Sequence, residues 1–179
     1  ACLKLVENII VPSSDFLEYL PGSLIKIYPI WTPDPQLIES SLAQPVFPYH
    51  LPSRLNICFA GQINATRGVD DAIRILISEL PNGFNLNLFG CKEIPDSLQM
   101  FTNYITINCY GYLQKSELLL YLQSQDFGLV SISKNFDQVG FPSKVCEYVY
   151  AGKPSVYIGK SLPAFEQFLT DTGIGFSFN

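Results

Sequence analysis

The sequence predicts an α/β domain on a mainly parallel sheet with helices on both faces. Two observations carry this. Beyond Pro52, apolar runs of strand length alternate regularly with segments of helix length, the signature of strand–helix–strand crossovers. In addition, 47% of the 179 residues are hydrophobic, enough for one full domain with a sizeable core and too little chain for two large ones.

Taken in order, residues 1–30 hold an apolar run, a polar break at Pro12 to Asp15, a short helix around Phe16 to Tyr19 and a second apolar run at Leu24 to Tyr28. These are too few elements for a core of their own. Residues 31–53 are crowded with proline (Pro33, Pro35, Pro45, Pro48, Pro52) and leave room for one short helix near Gln36 to Ala43, so they read as a linker. The main domain is expected over 54–179. There LNICFAG reads as a buried strand, VDDAIRILISEL as an amphipathic helix, FNLNLFG as a second strand and YITINCYGY as a third. KSELLLYLQSQ follows as a helix capped near Ser116. FGLVSI is strand-like, GFPSKVCEYVYAGKP opens another helix, PSVYIG is a strand, LPAFEQFLTD a helix and IGFSF a last short strand.

The composition excludes several classes. Net charge is −5 and lysine and arginine never cluster, which leaves no footprint for nucleic acid. Each apolar run is interrupted well before the roughly 20 residues that a bilayer span needs. The five cysteines (Cys2, Cys58, Cys91, Cys109, Cys146) include no CxxC pair and read as reduced, mostly buried thiols of a cytoplasmic protein. No metal-ligand spacing occurs, and the single histidine, His50, lies in the linker, which excludes a histidine-based triad within this chain. GxxxxGK[ST] and GxGxxG are both missing. The opening residues lack a signal peptide's pattern and begin without Met, and the chain reads as a piece of a longer protein.

In a parallel sheet, ligands bind where loops leave the carboxyl ends of strands. Four such loops carry candidates. GQINATRGVDD leaves its strand at Gly61 and places Arg67 before a helix, where it suits a diphosphate; an exposed loop arginine is the competing reading. GCKEIPD begins at Gly90, where a small residue lets a ligand approach the backbone, or makes an ordinary turn. CYGYLQKSE brings Tyr112 and Leu113 to the edge, with Tyr112 equally able to serve as core or rim. In the fourth loop Gly140, Phe141 and Pro142 form a turn and Ser143 stands where an N-cap belongs. That helix start suits phosphate, and Glu147, one turn along from Ser143 and Lys144, suits sugar hydroxyls. A plain capping serine and a solvated glutamate would look the same.

From Asn56 to Asn179 the order of motifs resembles the nucleotide-sugar-binding, C-terminal domain of GT-B-fold retaining glycosyltransferases. The matching pieces are FAGQINATRGVDDAIRIL, the strand ending in FG, CYGYLQKSELLLYLQSQDFGLVSIS and GFPSKVCEYVYAGKPSV, the last being the most specific. The resemblance implies a Rossmann-like fold and a donor site at Gly61, Gln62, Arg67, Gly90, Tyr112, Leu113, Gly140, Phe141, Ser143, Lys144 and Glu147. By it, Arg67 and Lys144 meet the diphosphate, Glu147 holds the ribose, and Gly111 to Leu113 meet the base. It departs from the family in two places. Gln62 replaces an arginine of the first loop, and Val139 stands where the first acid of the family's E-x7-E signature is expected.

The resemblance further implies that residues 1–30 are a remnant of the N-terminal acceptor domain. The intact enzyme would transfer a sugar from a nucleoside diphosphate sugar to an acceptor glycan or lipid with retention. It implies no cofactor and no metal, a role in polysaccharide biosynthesis, peripheral membrane contact of the parent and an inactive isolated fragment. Two other functions compete: a GT-B-like domain that has lost catalysis and serves as a scaffold in a multi-subunit transferase, and, ranked below it, a nucleotide-sugar epimerase. Epimerase chemistry needs acid and base groups, and the only histidine is in the linker.

Overall fold

The structure, a computed structural model, describes residues 9–11, 25–27, 54–137 and 140–178. The helices expected at 16–19 and 36–43, the linker with His50, and Val139 all lie outside the described residues. The two N-terminal apolar runs each contribute a strand: β1 (Ile9–Val11) pairs in parallel with β2 (Ile25–Ile27), Ile9 opposite Ile25.

The main domain is the predicted crossover series. It runs β3 (Leu55–Ala60), α1 (Val69–Glu79), β4 (Phe84–Phe89), α2 (Asp96–Gln99), β5 (Thr106–Cys109), α3 (Lys115–Gln123), β6 (Phe127–Ile132), α4 (Lys144–Tyr150), β7 (Ser155–Gly159), α5 (Pro163–Thr172) and β8 (Gly175–Phe178). The six strands form one sheet in the order β5-β4-β3-β6-β7-β8, and every pair is parallel. The chain therefore builds outward from β3 in one direction, returns, and builds outward from β6 in the other. That reversal leaves a crevice between β3 and β6 at their carboxyl ends.

Both faces of the sheet are covered, as parallel sheets require. Ile57 and Phe59 of β3 and Leu86 and Leu88 of β4 pack with Val69, Ile73 and Leu76 of α1 and Leu98 of α2. On the other face Cys58, Ala60, Phe89, Val130 and Ile132 meet Leu122 of α3, Val145 and Tyr148 of α4, and Phe165 and Leu169 of α5. The strands read as near-continuous apolar runs because successive side chains enter one core or the other.

Several boundaries differ from the sequence reading. β5 is only four residues, because the backbone N–H groups of Tyr104 and Ile105 are both taken by the carbonyl of Phe101 in a turn. The α3 cap is Gln114 rather than Ser116, and it makes no side-chain capping bond. Helix α2 has no counterpart in the sequence pattern, being a single turn after Pro95 whose sole buried residue is Leu98. Among the described residues no helix is long and apolar enough to cross a membrane.

Candidate functional site

At the carboxyl edge, three glycines stand side by side on neighbouring strands. Gly61 N–H donates to the Phe89 carbonyl (2.8 Å), Gly90 N–H to the Gly111 carbonyl (2.7 Å) and Gly111 N–H to the Cys91 carbonyl (2.8 Å). The ladder of β3, β4 and β5 thus continues into the loops. A side chain at Gly90 is excluded, since its φ is +113° and a Cβ there would lie 2.8 Å from the carbonyl oxygen of Gly61. The glycines leave room above them. A cavity of about 300 Å³ is lined by Ala60, Gly61, Gln62, Phe89, Gly90, Gly111, Tyr112, Leu113, Leu118 and Lys144. That brings together six of the eleven sequence-derived site residues.

Lys144 reaches this cavity from the first turn of α4. Its stem passes Gly61, whose added Cβ would sit 3.8 Å from the lysine Cε. Its ammonium lies 2.8 Å from Oε1 of Glu147, three residues along the same helix, with the two side chains 43% and 40% exposed. Such a pair is worth only about 0–1 kcal/mol to the fold. The other carboxylate oxygen, Oε2 of Glu147, is buried with no hydrogen-bond partner among the described residues. A buried acceptor left without a donor costs free energy.

The helix that carries Lys144 and Glu147 is anchored by the next residue. Tyr148 is fully buried, and its hydroxyl accepts the backbone N–H of Ala60 (3.0 Å) and donates to the carbonyl of Leu129 (3.1 Å). β3 and β6 are in register at Ile57 opposite Phe127 and Cys58 opposite Gly128, and no further. In a parallel ladder continuing that register, the Ala60 N–H would bond the Leu129 carbonyl directly. The tyrosine hydroxyl is inserted into that one bond and so holds the strands apart where the crevice begins. Its ring lies on Gly128, where a Cβ would come within 2.2 Å. Burial raises the Tyr148 pKa well above the ordinary phenol value, so the hydroxyl keeps the proton it donates.

Arg67, Gly140, Phe141, Ser143 and Glu147 lie around the cavity rather than in its wall. Arg67 is exposed in the turn before α1, and its N–H donates to the Asn64 carbonyl at 3.0 Å. The following Gly68 has φ +58° and would place a Cβ 2.7 Å from the Cα of Ser133, tying that turn to the end of β6. Ser143 occupies the N-cap position of α4 with helical dihedrals (φ −62°, ψ −16°) and makes no capping bond, unlike the cap its position suggests. Gly140 is half-buried, and the ring of Phe141 packs edge-on against Phe165 (5.1 Å) and Phe168 (6.0 Å). Tyr112 is 74% exposed at the mouth of the cavity.

The fold has counterparts among solved structures. The apo form of the lipopolysaccharide outer core galactosyltransferase WaaB matches 90% of this chain with a TM-score of 0.58 at 13% identity, over 46% of its own length. A chain of the GtfA/B complex matches 99% with a TM-score of 0.59 at 16% identity, over 35% of its length. A trehalose-6-phosphate synthase matches 87% with a TM-score of 0.52 at 12% identity, over 40% of its length. The chain has the fold of a GT-B glycosyltransferase C-terminal domain. It spans less than half of each of these GT-B structures. No protein-family model matches the chain, and no curated protein does.

Within this GT-B C-terminal fold, sequence reasoning missed Phe89 and Leu118 as cavity walls and Tyr148 as the anchor. One signal was available for the last. Gly128 interrupts the strand FGLVSI, and a glycine inside a strand marks a close approach by another group.

Proposed function

We propose that residues 54–179 are the donor-binding half of a glycosyltransferase that moves a sugar from a nucleoside diphosphate sugar to an acceptor glycan or lipid with retention of configuration. The observation that carries this reading is the cavity where the loops after β3, β4 and β5 meet the start of α4. Glycine backbone without side chains on one side lets a diphosphate approach closely, and a lysine ammonium on the other supplies a neutralising charge. Lys144 then faces the diphosphate, with Arg67 supplying a second cation from the neighbouring loop. Glu147, two-fifths exposed beside Lys144, accepts a ribose hydroxyl. Tyr112 and Leu113 meet the base from the cavity mouth. Two cations supply the charge compensation, so the reading calls for no metal or cofactor.

The acceptor site and the second wall of the cleft belong to the other half of a GT-B enzyme, so residues 54–179 alone bind donor without turning it over. Free thiols at Cys58, Cys91, Cys109 and Cys146 suit a reducing compartment such as the cytoplasm. Uridine, guanosine and adenosine diphosphates should be screened by thermal shift and calorimetry. A ligand at about 100 times its dissociation constant adds roughly 2.7 kcal/mol of stability. A melting curve that none of the three moves, with no heat of binding, sinks the reading.

Gln62 favours a second reading. It is exposed on the cavity wall where the resemblance expects an arginine, so a binding or scaffolding half of a multi-subunit transferase is the alternative. Donor hydrolysis or transfer by the whole protein separates the two, since a scaffold binds nucleotide weakly and never consumes it.

A further inference from the structure

Two thiols stand in contact immediately behind the cavity wall. Cys91 Sγ and Cys109 Sγ are 3.7 Å apart, both partly exposed, Cys91 on the loop that leaves β4 and Cys109 at the end of β5. Cys91 directly follows Gly90, and Cys109 stands two residues before Gly111, so each thiol adjoins one of the glycines lining the cavity. The backbone already clasps the two segments here, through Gly90 N–H to the Gly111 carbonyl (2.7 Å) and Gly111 N–H to the Cys91 carbonyl (2.8 Å). A disulfide needs its sulfurs about 2.05 Å apart, so closure requires a movement of under about 2 Å by side chains whose backbones are held together. The other two described thiols are not arranged this way: Cys58 is buried in the sheet and Cys146 lies on α4.

We propose that Cys91 and Cys109 form a reversible redox pair whose disulfide cross-links the loop after β4 to the end of β5 behind the cavity wall. The oxidant is a small-molecule disulfide. One cysteine thiolate attacks a sulfur of that molecule and expels its first thiolate, leaving a mixed disulfide on the protein. The second cysteine attacks the protein sulfur of the mixed disulfide and expels the other thiolate. The cysteines lose two electrons in all, the oxidant becomes two thiols, and the two cysteine protons end on them. Burial, and after it the hydrogen bond and charge of Cys109, push the Cys91 thiol up to about 12. The Cys91 thiol therefore holds its proton at neutral pH and reacts faster as pH rises. Closure draws the Gly90–Cys91 loop onto the end of β5, narrowing the cavity between Gly90 and Tyr112 and stiffening its wall.

The cross-link stands on thiol geometry alone, whereas its effect on ligand rests on the donor-site reading. The 179-residue chain should be equilibrated with excess oxidised glutathione, quenched in acid, alkylated and peptide-mapped, with Cys91→Ser and Cys109→Ser in parallel. The expected result is one peptide pair joined through Cys91 and Cys109, lighter by two hydrogens and restored by dithiothreitol. Either serine variant should lack it, and the oxidised wild type should melt several degrees higher. Uridine diphosphate should bind the oxidised form at least about threefold more weakly, a difference of about 0.65 kcal/mol. Failure to form the joined peptide while the unfolded chain forms it overturns the proposal, as does a joined peptide with no change in melting. If the reduced protein binds no nucleotide while the joined peptide and melting shift appear, the redox pair stands and the donor-site reading falls.

Discussion

Replacing Tyr148 with phenylalanine removes one oxygen from the point where β3 and β6 part. The hydroxyl serves two backbone groups, the Ala60 N–H at 3.0 Å and the Leu129 carbonyl at 3.1 Å. Each bond is worth about 1 kcal/mol net, and leaving a buried donor or acceptor unpaired costs about 1–3 kcal/mol, so the expected loss is about 2–4 kcal/mol. The strands cannot close to make the direct bond, because the ring that remains still lies on Gly128. The loss should be measured by urea unfolding followed by far-UV circular dichroism, where the midpoint falls and the slope is unchanged. In a domain of this size that corresponds to a drop in Tm of roughly 6–15 °C, within the roughly 5–15 kcal/mol that keeps such a domain folded. Tyr150→Phe, on the exposed side of the same helix, is the control and should stay within about 0.5 kcal/mol of wild type. A loss for Tyr148→Phe as small as the control's would refute the inserted-hydroxyl account of the crevice.

Three further outcomes follow from the same geometry. Lys144→Ala should weaken nucleoside diphosphate binding about 10- to 100-fold by calorimetry, the worth of one charge-assisted bond, while changing stability by under about 1 kcal/mol because its pair with Glu147 is two-fifths exposed; unchanged affinity would remove Lys144 from the site. Gly90→Ala forces a Cβ to 2.8 Å from Gly61 O at φ +113° and should cost about 2–3 kcal/mol, against about 1 kcal/mol for Gly152→Ala, where φ is +71° and the Cβ meets nothing within 4 Å; equal losses in denaturant titrations would mean that the glycine edge is not tightly packed. Burial holds the Cys58, Cys146 and Tyr148 pKa values above the ordinary ones, Cys146 at about 12 from 9.0. The folded state keeps protons that the unfolded state releases, so this stability is fully present below pH 9 and is lost as pH climbs towards 12. Unfolding midpoints flat from pH 8 to 11 would contradict that assignment.

The sheet was legible in the sequence because its strands are buried on both faces and its helices on one, which gives two different periodicities to read. The edge was partly legible for another reason. Glycine after a strand is readable as a place where backbone must approach backbone, and Gly61 and Gly90 both stand there. What could not be read was distance across the fold. Nothing in the sequence distance of 20 residues between Gly128 and Tyr148 says that a ring lies on that glycine, or that the hydroxyl enters a neighbouring strand's ladder. Phe141 shows the converse. It belongs to the GFPSK string that carries the resemblance, and its ring is committed to Phe165 and Phe168 in the core. A motif is written in residue types, and the same string mixes groups that face a ligand with groups that only seat the helix.

Helix α4 divides those tasks by angle. Lys144, Glu147 and Tyr148 are spaced i, i+3, i+4, which places them on one side of the helix within a turn of each other. The first two share the half-exposed rim of the cleft, and the third goes down between the strands. Because the Tyr148 hydroxyl is fixed to both β3 and β6, the height of Lys144 above Gly61 is set by the sheet rather than by the loop that precedes the helix. That matters for a helix of only seven residues whose N-cap makes no side-chain bond, since it has little hold on its own position. The cleft therefore depends on one buried hydroxyl for its width and on a rim lysine for part of its charge. Tyr148→Phe should loosen both the fold and any ligand bound beside Gly61, whereas Lys144→Ala should separate binding from folding.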